Sequence, residues 1–531
     1  MDTPQMGIDA RLAGRMSMAE QHEYLRSKVS RRRAVLGGLT AAGTVAASGL
    51  LGGTAHAAAP SPSLLTRPAT DHGVSGALVA PFGRHLQFGS DPKTQFTISW
   101  QVPLAVRKPF VRIGLQPWSL SHKIDAEVRE LHTPQLLNSK LPPVDQYYLH
   151  ARLGGLRPGT TYYYGVGHDG FDPADSAAFA TIGSFTTAPA HSERFTFTAF
   201  GDQGVSYHAL ANDALILGRN PAFHLHAGDI CYADPDGSGQ ASDSADYDAR
   251  TWDQFLAQTE SVAARVPWMV TTGNHDMEAW YSPNGYGGQQ ARWTLPGDGF
   301  ASRTQPGAYS FVYGNTAVVA LDANDVSYEI PANYGLSGGG QTAWLDRTLA
   351  AYRKQRGIDF LVVFFHHCAY STTNSHASDG GVQAEWVPVF EKYQVDLVIN
   401  GHNHVYERTD AIRGGQVSHQ VAIGDTTRPA TDGTVYITAG GAGRSLYNFP
   451  APDSYEGHEN RVDTVTTWHS AKGGGKVTDL VHWSRVRYTG YSFISVDVEP
   501  ARAGRESTLT VSAIAETGER IDHFTVARRA N

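Results

Sequence analysis

The chain has 531 residues, too many for one compact core, so two folded domains and a processed leader are expected. With 41% hydrophobic and 18% charged residues it is globular over most of its length. Its formal net charge of −8 argues against a nucleic-acid binder but not against a small phosphate-bearing substrate, because bound cations would dominate the local field.

Residues 1–57 read as an export leader. Ser30-Arg31-Arg32-Arg33 precedes a Gly- and Ala-rich apolar run from Ala34 to Gly53, and Ala55-His56-Ala57 supplies a small-x-small cleavage pattern. This resembles a bacterial twin-arginine signal cleaved near Ala57, which implies passage across the membrane in the folded state. The alternative is a retained anchor, for which the run is Gly-rich and weakly hydrophobic. No other segment approaches transmembrane length, so the expected location is secreted, periplasmic or cell-wall associated, with no stable membrane span after processing.

Residues 58–190 carry short alternating runs, Phe96 to Trp100, Phe110 to Leu115, Tyr147 to Leu153 and Thr160 to Val166, separated by Pro, Gly and Asp clusters. They predict an all-β sandwich. Leu156-Arg157-Pro158-Gly159-Thr160-Thr161-Tyr162 resembles the turn and tyrosine corner of a fibronectin type III or immunoglobulin-like domain. A structural or docking module is the favoured reading, with carbohydrate binding as the alternative.

Residues 191–531 change rhythm. Phe195 to Phe200, Ala222 to Ala227, Val266 to Thr272, Ala317 to Leu321, Phe360 to Phe365, Val395 to Ile399 and Val435 to Ala439 are apolar runs of the kind buried on both faces. Between them, His208 to Arg219, Trp252 to Ala264 and Gln341 to Arg353 predict helices, the last with Trp344, Leu345, Leu349 and Tyr352 on one stripe. The expectation is an α/β domain with a mixed sheet covered by helices on both faces, and ligand groups beyond the carboxyl ends of its strands. Tyr491 to Val498 and Thr508 to Ala515 read as closing antiparallel strands. Ser418 to Asp432 and Ser470 to Val477 read as polar loops rimming the cleft, and Gly440-Gly441-Ala442-Gly443 as a loop too degenerate to be a phosphate cradle.

Five motifs follow those runs in order: GDQG from Gly201, GDICY from Gly228, GNHD from Gly273, VFFHH from Val363 and GHNH from Gly401. Asp202 and Asp229 follow glycines that permit sharp turns, and carboxylates suit hard cations. Either alone could be an ordinary turn residue. Asn274 offers a neutral oxygen ligand, and His275 beside it can face a reacting phosphate. His402 and His404 lie two residues apart, so both rings fall on one side of an extended segment. A lone His366 at a strand end would be a core residue, but its company makes it a ligand candidate; His367 is expected to face away. Cys231 and Cys368 sit beside these ligands as one disulfide or as two buried thiols.

The ordered set resembles the calcineurin-like metallophosphoesterases, over Phe195 to about Val498, and within them the purple acid phosphatases. Many relatives of the broader group carry a histidine two after the first aspartate; here that position is Gly204, and Tyr232 follows Asp229 as in the purple enzymes. The resemblance implies one metal held by Asp202, Asp229, Tyr232 and His404, and a second held by Asp229, Asn274, His366 and His402. The first would be Fe(III) and the second Zn(II), Mn(II) or Fe(II). It further implies acid hydrolysis of phosphate monoesters by metal-activated hydroxide, with His275 and His376 facing the substrate. Where plant members have a histidine pair, this chain has Ser375-His376. A phosphodiesterase or phospholipase-like enzyme on the same metals, and a non-catalytic exported binding protein, are the alternatives.

Overall fold

The computed structural model describes residues 73–134, 141–175, 181–237, 246–297, 299–301, 304–460, 462–501 and 505–530. The expected leader, residues 1–57, lies outside them. Among the described residues no helix is long and apolar enough to cross a membrane.

The first unit is a sandwich of two four-stranded sheets. One runs in the order Phe82–Phe88, Phe96–Val102, Val144–Leu153, Glu127–Thr133; the other runs His122–Asp125, Phe110–Gly114, Thr161–Gly167, Gly183–Thr186. Their inner faces meet through Trp100, Leu149, Val111 and Tyr164, with Phe96 stacked on Phe185 at 4.4 Å between ring centres. The expected corner is present, with the Arg157 N–H donating to Tyr162 Oη at 3.0 Å.

The second unit is the expected α/β domain of mixed sheets flanked by helices, with two sheets in place of one. Two seven-stranded mixed sheets pack face to face, one around Trp268–Val270, Phe223–His226, Phe195–Phe200 and Ser492–Glu499, the other around Thr316–Ala320, Phe360–Phe365, Leu397–Asn400 and Val435–Ala439. Phe197, Leu225, Val362 and Ile399 point between the sheets. Phe200 and Trp268 point outward under helices Tyr207–Gly218 and Arg250–Ala263, and Leu361 and Phe365 under helices Gly340–Lys354 and Val387–Lys392. A strand buried on both faces reads as a continuous apolar run whether its cover is a helix or another sheet, so the pattern could not separate the two. Ser470 to Val477 is also no loop: it belongs to the hairpin of Val465–Ala471 and Gly475–Val481.

The sandwich and the second unit share one core. Phe88 meets Phe311 at 5.5 Å and Phe223 at 5.9 Å. At the same junction the buried His150 donates from Nε2 to the Ala291 carbonyl at 2.8 Å, and its Nδ1 faces the hydroxyls of Ser99 and Thr294. Burial, then Arg129, holds this imidazole well below its ordinary pKa of 6.5, so it is neutral in the fold. Stability linked to it is present in full above pH 6.5 and is lost as pH falls from there toward the depressed folded value. Between pH 7.5 and 5.0 the native protein is expected to lose about 2 kcal/mol more than His150→Gln, read from urea unfolding at the two pH values.

Candidate metal centre

Each motif lies at or shortly after the carboxyl end of a strand, VFFHH beginning within the last residues of Phe360–Phe365 and the others just beyond their strands. Four of the seven candidate ligands adopt left-handed backbone, with φ of 63° at Asp202, 51° at Asp229, 59° at Tyr232 and 66° at His402. Such values are costly for residues with a Cβ and persist only where surroundings impose them. The preceding glycines let the turns approach one another. A Cβ on Gly228 would lie 2.6 Å from the Gly273 nitrogen, and one on Gly401 would lie 2.7 Å from Asp202 Oδ2. Asp276 ties the second and third motifs, accepting from the N–H groups of Asp229, Ile230 and Gly273 at 2.8 to 3.0 Å. Burial and the nearby Asp229 push Asp276 up to about 7.

Two donor groups result. In the first, Tyr232 Oη lies 3.0 Å from Asp202 Oδ1 and 2.9 Å from His404 Nε2, which is itself 3.4 Å from Asp202 Oδ1. In the second, His366 Nε2 lies 3.1 Å from Asn274 Oδ1, 3.1 Å from Asp229 Oδ2 and 3.2 Å from His402 Nδ1. The seven candidate ligands therefore converge. Asp229 belongs to the second group; of the candidate ligands it alone was expected to serve both metals.

The chemistry of these contacts fits cations. His366 donates from Nδ1 to the Ala227 carbonyl at 2.8 Å, which leaves its Nε2 lone pair facing an amide oxygen, a carboxylate and a second imidazole. One proton satisfies one of those partners, whereas a metal ion satisfies all of them at once. Burial lowers the His366 pKa, yet Asp229 and Asp202 overcome it and raise the ring to about 9, marking a position where the fold wants positive charge. Burial, with Asp202 and Asp229, holds the Tyr232 phenol well above its ordinary range, so a tyrosinate there requires a cation.

Around the groups stand the histidines expected to meet substrate. His275 keeps 16% of its side chain exposed, with Nε2 3.9 Å from Asp229 Oδ2 and Nδ1 on the Asp234 carbonyl at 2.7 Å. His376 keeps 27% exposed and its ring lies 4.4 Å from that of His402. His367 is buried and turned against His402, with ring centres 4.5 Å apart, so it does not face away from the site as expected. Cys231 and Cys368 are free and buried; Cys368 Sγ donates to the Gly401 carbonyl.

Sequence reading missed three neighbours. Glu329 contacts both His376 and His402, Arg444 lies over the Tyr232 ring at 4.3 Å, and Tyr447 stacks on His404 at 4.1 Å. Arg444 directly follows the Gly440 to Gly443 loop, which was noted but not connected to the metals. Glu329 has no spacing relation to any motif.

This arrangement is that of a binuclear metallophosphoesterase, and comparison with known proteins agrees. A family model described as Purple acid Phosphatase, N-terminal domain, matches residues 81–198, and one described as Calcineurin-like phosphoesterase matches residues 195–406. An uncharacterized protein of Mycobacterium tuberculosis is 31% identical over 84% of this chain and 87% of its own. Purple acid phosphatase 18 of Arabidopsis thaliana is 28% identical over 72% of this chain and 80% of its own. A purple acid phosphatase from yellow lupin (Lupinus luteus) seeds shares the fold, with a TM-score of 0.62 at 20% identity over 85% of this chain and 75% of that one. The chain belongs to the purple acid phosphatase family. Membership supports a metal-dependent phosphoesterase, and the family implies a binuclear metal centre.

Proposed function

We propose that this protein is an exported acid phosphatase that hydrolyses phosphate monoesters at a centre of Fe(III) and a divalent ion, Zn, Mn or Fe. The observation that carries the reading is Tyr232, whose phenol oxygen sits between Asp202 and His404 beside the second group of donors. Phenolate and carboxylate oxygens favour a hard trivalent ion, and the imidazole-rich group of Asp229, Asn274, His366 and His402 favours a divalent one. When bound, the metals supply Lewis acidity toward the phosphoryl oxygens and an activated water at mildly acidic pH. The chain supplies the rest. His275, fixed through Nδ1 on the Asp234 carbonyl, leaves Nε2 free for a phosphoryl oxygen, and His376, beside His402, is the candidate to protonate the leaving oxygen. The substrate is a small phosphate ester, with no nucleic-acid partner. Export rests on the twin-arginine-like sequence of residues 1–57.

The test is a visible spectrum with metal analysis on the secreted protein, whose first residue near Ala58 also checks the export. Roughly one iron and one divalent metal per chain and a broad band in the green are expected, with the band lost in Tyr232→Phe. Metals without the band, even after oxidation, would remove the iron–tyrosinate reading. Faster turnover of a bis-aryl than of a mono-aryl phosphate would move the activity to diesters.

A further inference from the structure

One carboxylate joins the metal centre to the substrate-facing side. Glu329 Oε1 lies 2.6 Å from His376 Nδ1, and its Oε2 lies 3.4 Å from His402 Nε2. Only 13% of this side chain is exposed. His402 thus spans two neighbours: Nδ1 faces His366 in the second donor group, and Nε2 faces Glu329.

The carboxylate is held in place from below. Asp379 accepts from Ser327 Oγ and from the N–H groups of Tyr328 and Glu329 at 2.8 to 3.2 Å, while also capping helix Gly380–Glu385 through Gly381 and Val382. The segment carrying His376 is fixed separately: Glu407, fully buried, accepts from Ser371 Oγ and from both the N–H and Oγ1 of Thr372 at 2.6 to 2.8 Å. Glu329 and His376 therefore meet because two anchored loops bring them together, and not through the collapse of one flexible side chain onto another.

Resting on the monoesterase reading above, we propose that Glu329 is a positioning residue that serves two histidines at once. It accepts Nδ1–H of His376, so the transferable proton sits on Nε2. Its Oε2, 3.4 Å from His402 Nε2 without a formed hydrogen bond, favours the proton on that nitrogen and leaves the Nδ1 lone pair for the second metal position. A carboxylate behind a ligating imidazole fixes its tautomer and orientation in this way. In the reaction, a water oxygen forms the new P–O bond as the bond to the leaving group breaks; one of its protons stays on the phosphate and the other passes to solvent. The electron pair stays on the leaving oxygen, which takes the proton from His376 Nε2. The ring is left neutral with Nδ1–H still on Glu329 and regains its proton from solvent. Because one carboxylate holds both rings, a change at Glu329 reaches proton donation and metal retention together.

The experiment compares Glu329→Gln, His376→Ala and the double variant on two monoesters, a nitrophenyl phosphate whose leaving group needs little protonation and a simple alkyl phosphate whose alkoxide needs it fully. In Glu329→Gln, kcat on the alkyl ester is expected to fall roughly 30- to 100-fold and on the nitrophenyl ester less than about fivefold, with KM little changed. With both metals supplied at saturation, the double variant is expected to lose no more on the alkyl ester than His376→Ala alone. Independently of turnover, chelator competition on Glu329→Gln should show the more weakly held metal bound about tenfold less tightly. Equal losses on both esters, or additive losses in the double variant, overturn the His376 half of the proposal. Unchanged metal affinity overturns the His402 half. A third metal equivalent in the native protein that Glu329→Gln lacks makes Glu329 a ligand and overturns both. If the native enzyme turns over neither ester, the His376 half falls with the monoesterase reading, and chelator competition still decides the His402 half.

Discussion

Asp229→Asn is expected to lower kcat by about a thousandfold or more and to yield protein depleted in metal, with the fold retained. Asp229 is buried, with Oδ2 3.1 Å from His366 Nε2 and Oδ1 accepting the His275 N–H at 2.8 Å. An asparagine can keep its carbonyl oxygen on His275, so the turn survives. The other atom becomes an NH2, which cannot ligate and which points hydrogens at the donor group. Burial raises the carboxylate pKa, but His366, His275 and His402 hold it well below the ordinary range, so the native group is an anion placed to be shared by cations. The measurements are metal content, kcat on an aryl monoester, and a thermal melt to confirm folding. A folded variant that keeps both metals and activity within tenfold of native would show that the donor assignment is wrong. A binding protein whose working part is the sandwich would keep its function in this variant.

The candidate ligands were legible in the sequence because each sits at or shortly after the end of a strand, where a donor residue follows an apolar run, with a glycine between them in four of the five motifs. Asp202 and His402, far apart in the chain, needed no prediction of their contact; each announced itself locally. What the chain hides is non-local. Glu329 reaches His402 through a segment fixed by Asp379, and no periodicity links those positions. The second sheet was invisible for a related reason: Val362 and Leu361 are both apolar, and nothing in either residue says that one meets a sheet and the other a helix. Ser470 to Val477 was misread because the hairpin is polar and exposed along Gly475–Val481, so alternation had no buried face to mark. Of the two readings of the cysteines, a disulfide or two buried thiols, the structure has the thiols: Cys231 enters the apolar core under helix Arg250–Ala263 while Cys368 bonds to the Gly401 turn.

Glu278→Gln is expected to destabilise the protein by about 3–5 kcal/mol, the cost of leaving a buried charge without its partner. Glu278 follows the Asn274–Asp276 turn that supplies Asn274 to the second donor group. Its Oε2 lies 2.6 Å from Arg292 Nη1, and its Oε1 accepts from Trp252 Nε1 at 2.9 Å and Tyr247 Oη at 3.0 Å. Both charged side chains are at most 1% exposed, and the Arg292 guanidinium lies 4.1 Å from the Trp252 ring centre. Glutamine preserves the acceptor for Trp252 and Tyr247, so the loss isolates the charge pairing. Adding Arg292→Met removes the orphaned cation, and the double variant is expected to recover at least half of the stability lost in Glu278→Gln alone. Because the pair anchors the chain just beyond Asn274, the single variant should also release its more weakly held metal to chelator sooner than native protein, and the double variant should restore much of that retention. A Glu278→Gln protein within about 1 kcal/mol of native in urea unfolding would mean that the aromatic cage, and not the ion pair, holds the turn behind the metals.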